Sequence, residues 1–106
     1  MGETIVSSNG LFEWDADKNT MNIQKHGISF EEAAEVFNDS NLLEYYDPNN
    51  SSIGEDRYIA LGAVGELVVV VVSFTDRPPR LRIISARFAE SVEKEVYYAN
   101  LKRTSE

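Results

Sequence analysis

Five consecutive valines, Val68 to Val72, stand between Leu67 and the pair Ser73-Phe74. A strand with one wet face alternates apolar with polar side chains. This run does not alternate, so it predicts a strand over 67–74 at the centre of a sheet, buried on both faces. It is far too short to span a bilayer. Something must then cover each face: the chain's own helices, or a partner protein laid against the sheet. A chain of 106 residues, 42% of them apolar, is large enough to bury a core of its own without metal or cross-links. It contains no cysteine, which excludes disulfides, thiolate zinc sites and cysteine nucleophiles and accords with a cytoplasmic location.

The period of the apolar residues changes along the chain. Residues 1–10 are small, polar and aperiodic, and read as a disordered leader without the features of a secretory signal. Residues 11–14 form a short aromatic strand, and Asp15 has the chemistry of an N-cap for a helix over 16–25 that ends at His26-Gly27. Ser29 and Glu32 make a capping box for a second helix, in which Phe30, Ala33, Ala34 and Phe37 share one face until 38–41 stops it. An extended period then takes over. It gives strands at 42–46, 57–64, 67–74 and 80–88, separated by the polar loop 47–56, a turn at Gly65-Glu66 and a turn at 75–79. Ala89, Val92, Val96 and Ala99 fall on one stripe of a terminal helix, with 104–106 as a tail. The expectation is a single α+β domain over 11–103, an antiparallel sheet flanked by two N-terminal helices and one C-terminal helix.

The charge is unevenly placed. The chain carries a net charge of -8, but residues 1–56 hold 12 acids and 2 bases while residues 57–106 hold 6 acids and 8 bases. Any polyanion must therefore be met by a local basic patch. The stretch 77–87 is the candidate, with Arg77, Arg80, Arg82 and Arg87 and no acid. Strand alternation sets Arg82 and Arg87 on opposite faces unless a bulge re-aims one of them, and Arg57 opens the neighbouring strand. Guanidiniums so clustered can hold a phosphate and stabilise the extra charge of its transition state. They can equally pair with the acids Glu31, Glu32 and Glu35 of the second helix.

Other polar groups have comparable double readings. Lys18, Asn22, Lys25 and His26 fall within an arc of roughly 100° on the first helix, where Lys25 and His26 either join the anion site or oppose the helix dipole. Glu93 and Tyr97 are spaced i, i+4 on the last helix, as an exposed pair or as groups that move protons. There is no Gly-rich phosphate loop, no Gly-x-Ser-x-Gly elbow and no histidine pair at metal spacing, so neither metal nor cofactor is expected.

Taken together, "FEWDADKNTMNIQKHGISFEEAAEVF", "GEDRYIALG" and "RIISAR" resemble the BrnT family of type II toxins, a branch of the RelE-like ribonuclease toxins. The resemblance runs from Phe12 to Tyr97. It implies a small sheet flanked by helices, metal-independent cleavage of RNA, neutralisation by a BrnA-like antitoxin, and contact with DNA only through that complex. Carried over residue by residue, it assigns the site to Lys25, His26, Arg57, Arg82, Arg87, Glu93 and Tyr97. The chain departs from the family after Arg87, where Phe88, Glu90, Ser91 and Val92 replace further bases. That departure supports the alternative of a non-catalytic module that retains the fold and binds its antitoxin.

Overall fold

The structure, a computed structural model, describes residues 2–104. In chain order it comprises β1 (Thr4–Val6), β2 (Phe12–Asp15), α1 (Ala16–His26), α2 (Phe30–Ala33) continued by a 3₁₀ segment Ala34–Asn38, β3 (Leu43–Tyr46), β4 (Arg57–Val64), β5 (Val68–Arg77), β6 (Arg80–Phe88) and α3 (Ser91–Thr104). The strands form one six-stranded sheet in the order β1-β2-β6-β5-β4-β3. Among the described residues no helix is long and apolar enough to cross a membrane.

The valine run occupies the position its pattern predicts. β5 lies between β6 and β4, antiparallel to both. Val70 and Val72 pack on one face with Trp14, Phe30, Val36, Phe74 and Ile83, beneath α2 and its 3₁₀ continuation. Val69 and Val71 pack on the other with Leu61, Ala89 and Tyr97, beneath α3. The chain therefore covers both faces of the run itself, and no partner is needed for that purpose. The 3₁₀ segment can lie this close because β4 presents Gly62: a Cβ there would stand 3.0 Å from Val36 Cβ and from Leu42 Cδ1.

Several expectations are corrected. The sheet is mixed rather than antiparallel, because β2 runs parallel to β6 with Phe12 opposite Leu81 and Glu13 opposite Arg82. Tight turns dictate antiparallel neighbours only for the strands they join, and β2 feeds a helix instead. The expected disordered leader does not describe Thr4–Val6, which pairs antiparallel with β2 and packs Ile5 against the core. Backbone pairing to an edge needs no apolar period, so a three-residue strand leaves little trace in sequence. Met1 and residues 105–106 of the expected tail lie outside the described residues, while Thr104 closes α3. The turn before β5 takes in Leu67, at φ 67°, together with Gly65 at φ 61°, so the strand begins at Val68 rather than at 67.

The terminal helix is rotated from its predicted face. Val92 and Val96 are exposed, at 70% and 44%, whereas Tyr97 is buried and Leu101 packs beside it. Glu93 and Tyr97 each find a polar partner beneath the helix, Arg87 and Asp39. Those partners, not the valine stripe, set the rotation.

Candidate functional site

α1 ends against the open edge of β6. Asp15 caps its start by accepting from the Lys18 N–H at 2.9 Å, and Gly27 at φ 76° closes it, donating its N–H to Ile23 O. In between, Asn22 is 6% exposed and uses its amide as a strand would. It donates to Ala86 O at 2.8 Å and to Ile28 O at 2.9 Å, and accepts from the Ala86 N–H at 3.1 Å. β2 pairs with β6 only near Leu81 and Arg82, so Asn22 satisfies an edge that would otherwise be open. This contact sets His26, one turn later, beside the far end of β6.

β6 is bulged. Ser73 stands opposite Ser85 and Phe74 opposite Ile83, leaving Ile84 without a cross-strand partner. The extra residue reverses the parity beyond it. Arg82, opposite Thr75, and Arg87, opposite Val71, consequently lie on the same face, where strict alternation would have separated them.

A cleft of about 250 Å³ opens on that face. His26 reaches it from α1, Ser85 and Arg87 from β6, and Arg57 from the start of β4, with Asp47 and Asn50 at the rim. Loop 47–56 folds back to hold Arg57: the Arg57 N–H donates to Ser51 Oγ at 2.8 Å and Asp47 N–H to Arg57 O at 2.8 Å. Arg57 Nε donates to Glu55 Oε1 at 2.9 Å. This hydrogen bond, outweighing burial, holds the Glu55 carboxyl below its usual range. Arg87 makes a fork with Glu93, at 2.8 Å from each amino nitrogen. Glu93 also accepts the Glu90 N–H at 2.8 Å, at the start of α3. The Arg87 fork lowers the Glu93 carboxyl and Glu93 raises the guanidinium in turn.

Not every expected site residue reaches the cleft. Arg82 shares the face but pairs with Glu13 of β2 at 2.6 Å, the two side chains being 17% and 12% exposed. Lys25 is exposed on the adjoining surface of α1. Glu93 stands behind Arg87 rather than in the cleft. Tyr97 is 2% exposed and donates its hydroxyl to Asp39, which ties α3 to the segment after α2. The arginines do pair with acids, but with Glu13, Glu55 and Glu93 rather than Glu31, Glu32 and Glu35. The helical acids flank α2 on the opposite face of the sheet, out of reach. The sequence places Asn22 on the polar, partly cationic stripe of the first helix and does not single out Glu13, Asp39, Glu55 or Ser85. An asparagine within a helix, a poor helix former, is the one local signal among these.

The Asp39–Tyr97 contact has a pH signature. Burial opposes the Asp39 charge, but the Tyr97 hydroxyl and the N–H groups of Ala63 and Asn41 outweigh it and lower the carboxyl below its ordinary range. Burial and the Asp39 carboxylate push the Tyr97 phenol above its own range. A lowered acid contributes stability above its unfolded pKa and loses it as pH falls through the folded value. A raised phenol contributes below its unfolded pKa and loses it as pH rises toward the folded value. Tyr97→Phe is therefore expected to cost about 1.5–3 kcal/mol at neutral pH, the scale of a hydrogen bond to a charged group. The gap from wild type should narrow as pH falls below the ordinary carboxylate range and Asp39 protonates. Thermal unfolding across that range checks it, and a pH-independent gap counts against it.

Three comparisons bear on this geometry. The family model described as "Ribonuclease toxin, BrnT, of type II toxin-antitoxin system" matches residues 14–93. Among solved structures, the crystal structure of the Brucella abortus ribonuclease toxin BrnT is similar at 30% identity and a TM-score of 0.56, covering 74% of this chain and 94% of that one. A search of curated protein sequences finds no match.

Proposed function

Since the chain belongs to the BrnT family, the ribonuclease toxins of type II toxin–antitoxin systems, we propose that it cleaves single-stranded RNA in the cleft bounded by His26, Arg57 and Arg87. The observation that carries this reading is convergence: two guanidiniums and the chain's only imidazole reach one cleft from three separate elements. The expected likeness to RelE-like ribonucleases belongs to the same proposal.

In this reading Arg57 and Arg87 hold the scissile phosphate, each already oriented by a carboxylate behind it. The ribose 2′-oxygen gives up its proton, bonds to phosphorus and displaces the 5′-oxygen, which leaves with a proton. The products are a 2′,3′-cyclic phosphate and a 5′-hydroxyl. His26 is positioned to carry one of the two protons, and water in the open cleft the other. The arginines supply the positive charge that the pentavalent transition state demands, so cleavage proceeds without a metal ion. Purified protein should cut a single-stranded RNA in the presence of a strong chelator, and should fail on the same strand with a 2′-deoxy nucleotide at the cleaved position. Cleavage that stops with the chelator, or continues past the deoxy substitution, overturns the mechanism.

A type II family implies an antitoxin, and we take a BrnA-like, DNA-binding protein as the partner, acting in the cytoplasm and bringing the toxin to DNA only indirectly. The outward valines of α3, Val92 and Val96, are apolar surface it would cover. Co-expression should give a complex that survives size exclusion, and Val96→Glu should weaken it without altering cleavage. A complex indifferent to Val96→Glu removes α3 from the interface.

One observation favours the non-catalytic alternative: both cleft arginines are already paired, with Glu55 and Glu93, and Phe88, Glu90, Ser91 and Val92 supply no additional base. The cleavage assay separates the two readings. A folded protein, free of antitoxin, that leaves RNA intact is the interaction module.

A further inference from the structure

We propose that the surface of α1 beside the cleft is a second subsite, which binds the base and phosphate of a nucleotide next to the one cleaved. The proposal rests on the ribonuclease reading above and extends it to how the strand is held. A shelf of about 460 Å³, larger than the cleft, lies between Lys18, Met21, Gln24 and Lys25 of α1 and the bulged Ile84 of β6. It shares His26, Ile84 and Ser85 with the cleft, so the two adjoin. A strand held at the cleft phosphate must leave it somewhere, and the shelf is an exit with the right chemistry.

That chemistry has two parts. Met21 is 66% exposed, and with Ile84 it makes a small apolar platform. A polarizable thioether packs well against an aromatic ring, and a nucleobase offers one to any sequence. Lys18 and Lys25 flank the platform and form no ion pair among the described residues, whereas Arg57, Arg82 and Arg87 each have a carboxylate. In a chain of net charge -8, this is where uncompensated positive charge adjoins the cleft, and a phosphate is its complement. The bulge contributes directly, since it frees Ile84 from cross-strand pairing and lets it line both spaces.

The test measures binding separately from cleavage. The probe is a short fluorescent single-stranded oligonucleotide, 2′-O-methylated so that it cannot be cut, together with a set carrying one abasic nucleotide at successive positions. Met21→Glu and Lys18→Glu are each expected to weaken binding by roughly five- to tenfold, the scale of one lost stacking or phosphate contact. Met21→Leu, which keeps the apolar surface but not the thioether, should recover most of the binding that Met21→Glu loses. One abasic position, adjacent to the cleavage site of the unmodified strand, should weaken wild type by a similar factor and leave Met21→Glu unchanged. Equal binding by wild type and both charge variants overturns the subsite, as does a loss that ignores the abasic position, or no binding at all. If one abasic position weakens wild type and spares Met21→Glu, yet wild type cuts no unmodified RNA, the ribonuclease reading falls and the shelf stands as a nucleotide-binding site.

Discussion

Arg87→Ala is expected to lower single-turnover cleavage of a single-stranded RNA by about a hundredfold or more, the scale of losing one preorganised transition-state donor. The side chain opposes Val71 at the cleft and is held by a fork to Glu93 that fixes the plane of its guanidinium. Its remaining N–H donors then meet a phosphate without further reorganisation. Arg87→Lys should recover only part of the activity, because an ammonium keeps the charge but cannot satisfy Glu93 and the phosphate in one plane. The fold should persist, as the side chain is 38% exposed. Two other arginines of the same stretch serve as contrasts. Arg77→Ala, at an exposed hairpin end, should change cleavage little. Arg82→Ala should lower stability instead, because it strands the Glu13 carboxylate at 12% exposure without its partner. Equal activity of wild type and Arg87→Ala would sink the catalytic assignment.

Asn22→Ala is expected to be the most destabilising single change at the site, by about 3 kcal/mol, or roughly 10–20 °C in Tm for a domain of this size. It removes one amide but strands three backbone groups, the N–H and C=O of Ala86 and the C=O of Ile28. Asn22→Asp is the sharper variant, since the two shapes match but a carboxylate cannot donate. It would set a negative charge against two carbonyl oxygens and should destabilise at least as much. Because the same contact places His26 beside Arg87, cleavage by whatever protein remains folded should fall as well. Thermal unfolding of the two variants is the measurement. Asn22→Ala within about 1 kcal/mol of wild type would mean that water replaces the amide at no serious cost.

Much of the local structure was legible. Asp15 and the Ser29–Glu32 box mark helix starts through hydrogen bonds made within four residues, and both form as written. Gly27 ends α1 because a residue without Cβ takes the left-handed turn there at no steric cost. The hairpin order of β4, β5 and β6 follows from tight turns, and the valine run announces its own burial on both faces. The arginine stretch was legible as a cationic cluster, though not which arginine does what. Alternation placed Arg82 and Arg87 on opposite faces; one bulged residue, Ile84, put them on the same face, and Glu13 then drew Arg82 away.

The sequence by itself therefore determined the elements from β2 onward, the central strand and the residue types from which a phosphate site could be built. These depend on contacts between near neighbours, whose geometry the backbone dictates. Tertiary structure decided the parallel pairing of β2 with β6, the rotation of α3 onto Glu93 and Tyr97, the docking of α1 through Asn22, and the membership of the cleft. Each of these turns on a partner distant in the chain, such as Asn22 with Ala86 or Asp39 with Tyr97. A buried polar group must find such a partner or leave its hydrogen bonds unmade, and which partner it finds depends on the packing of the whole sheet.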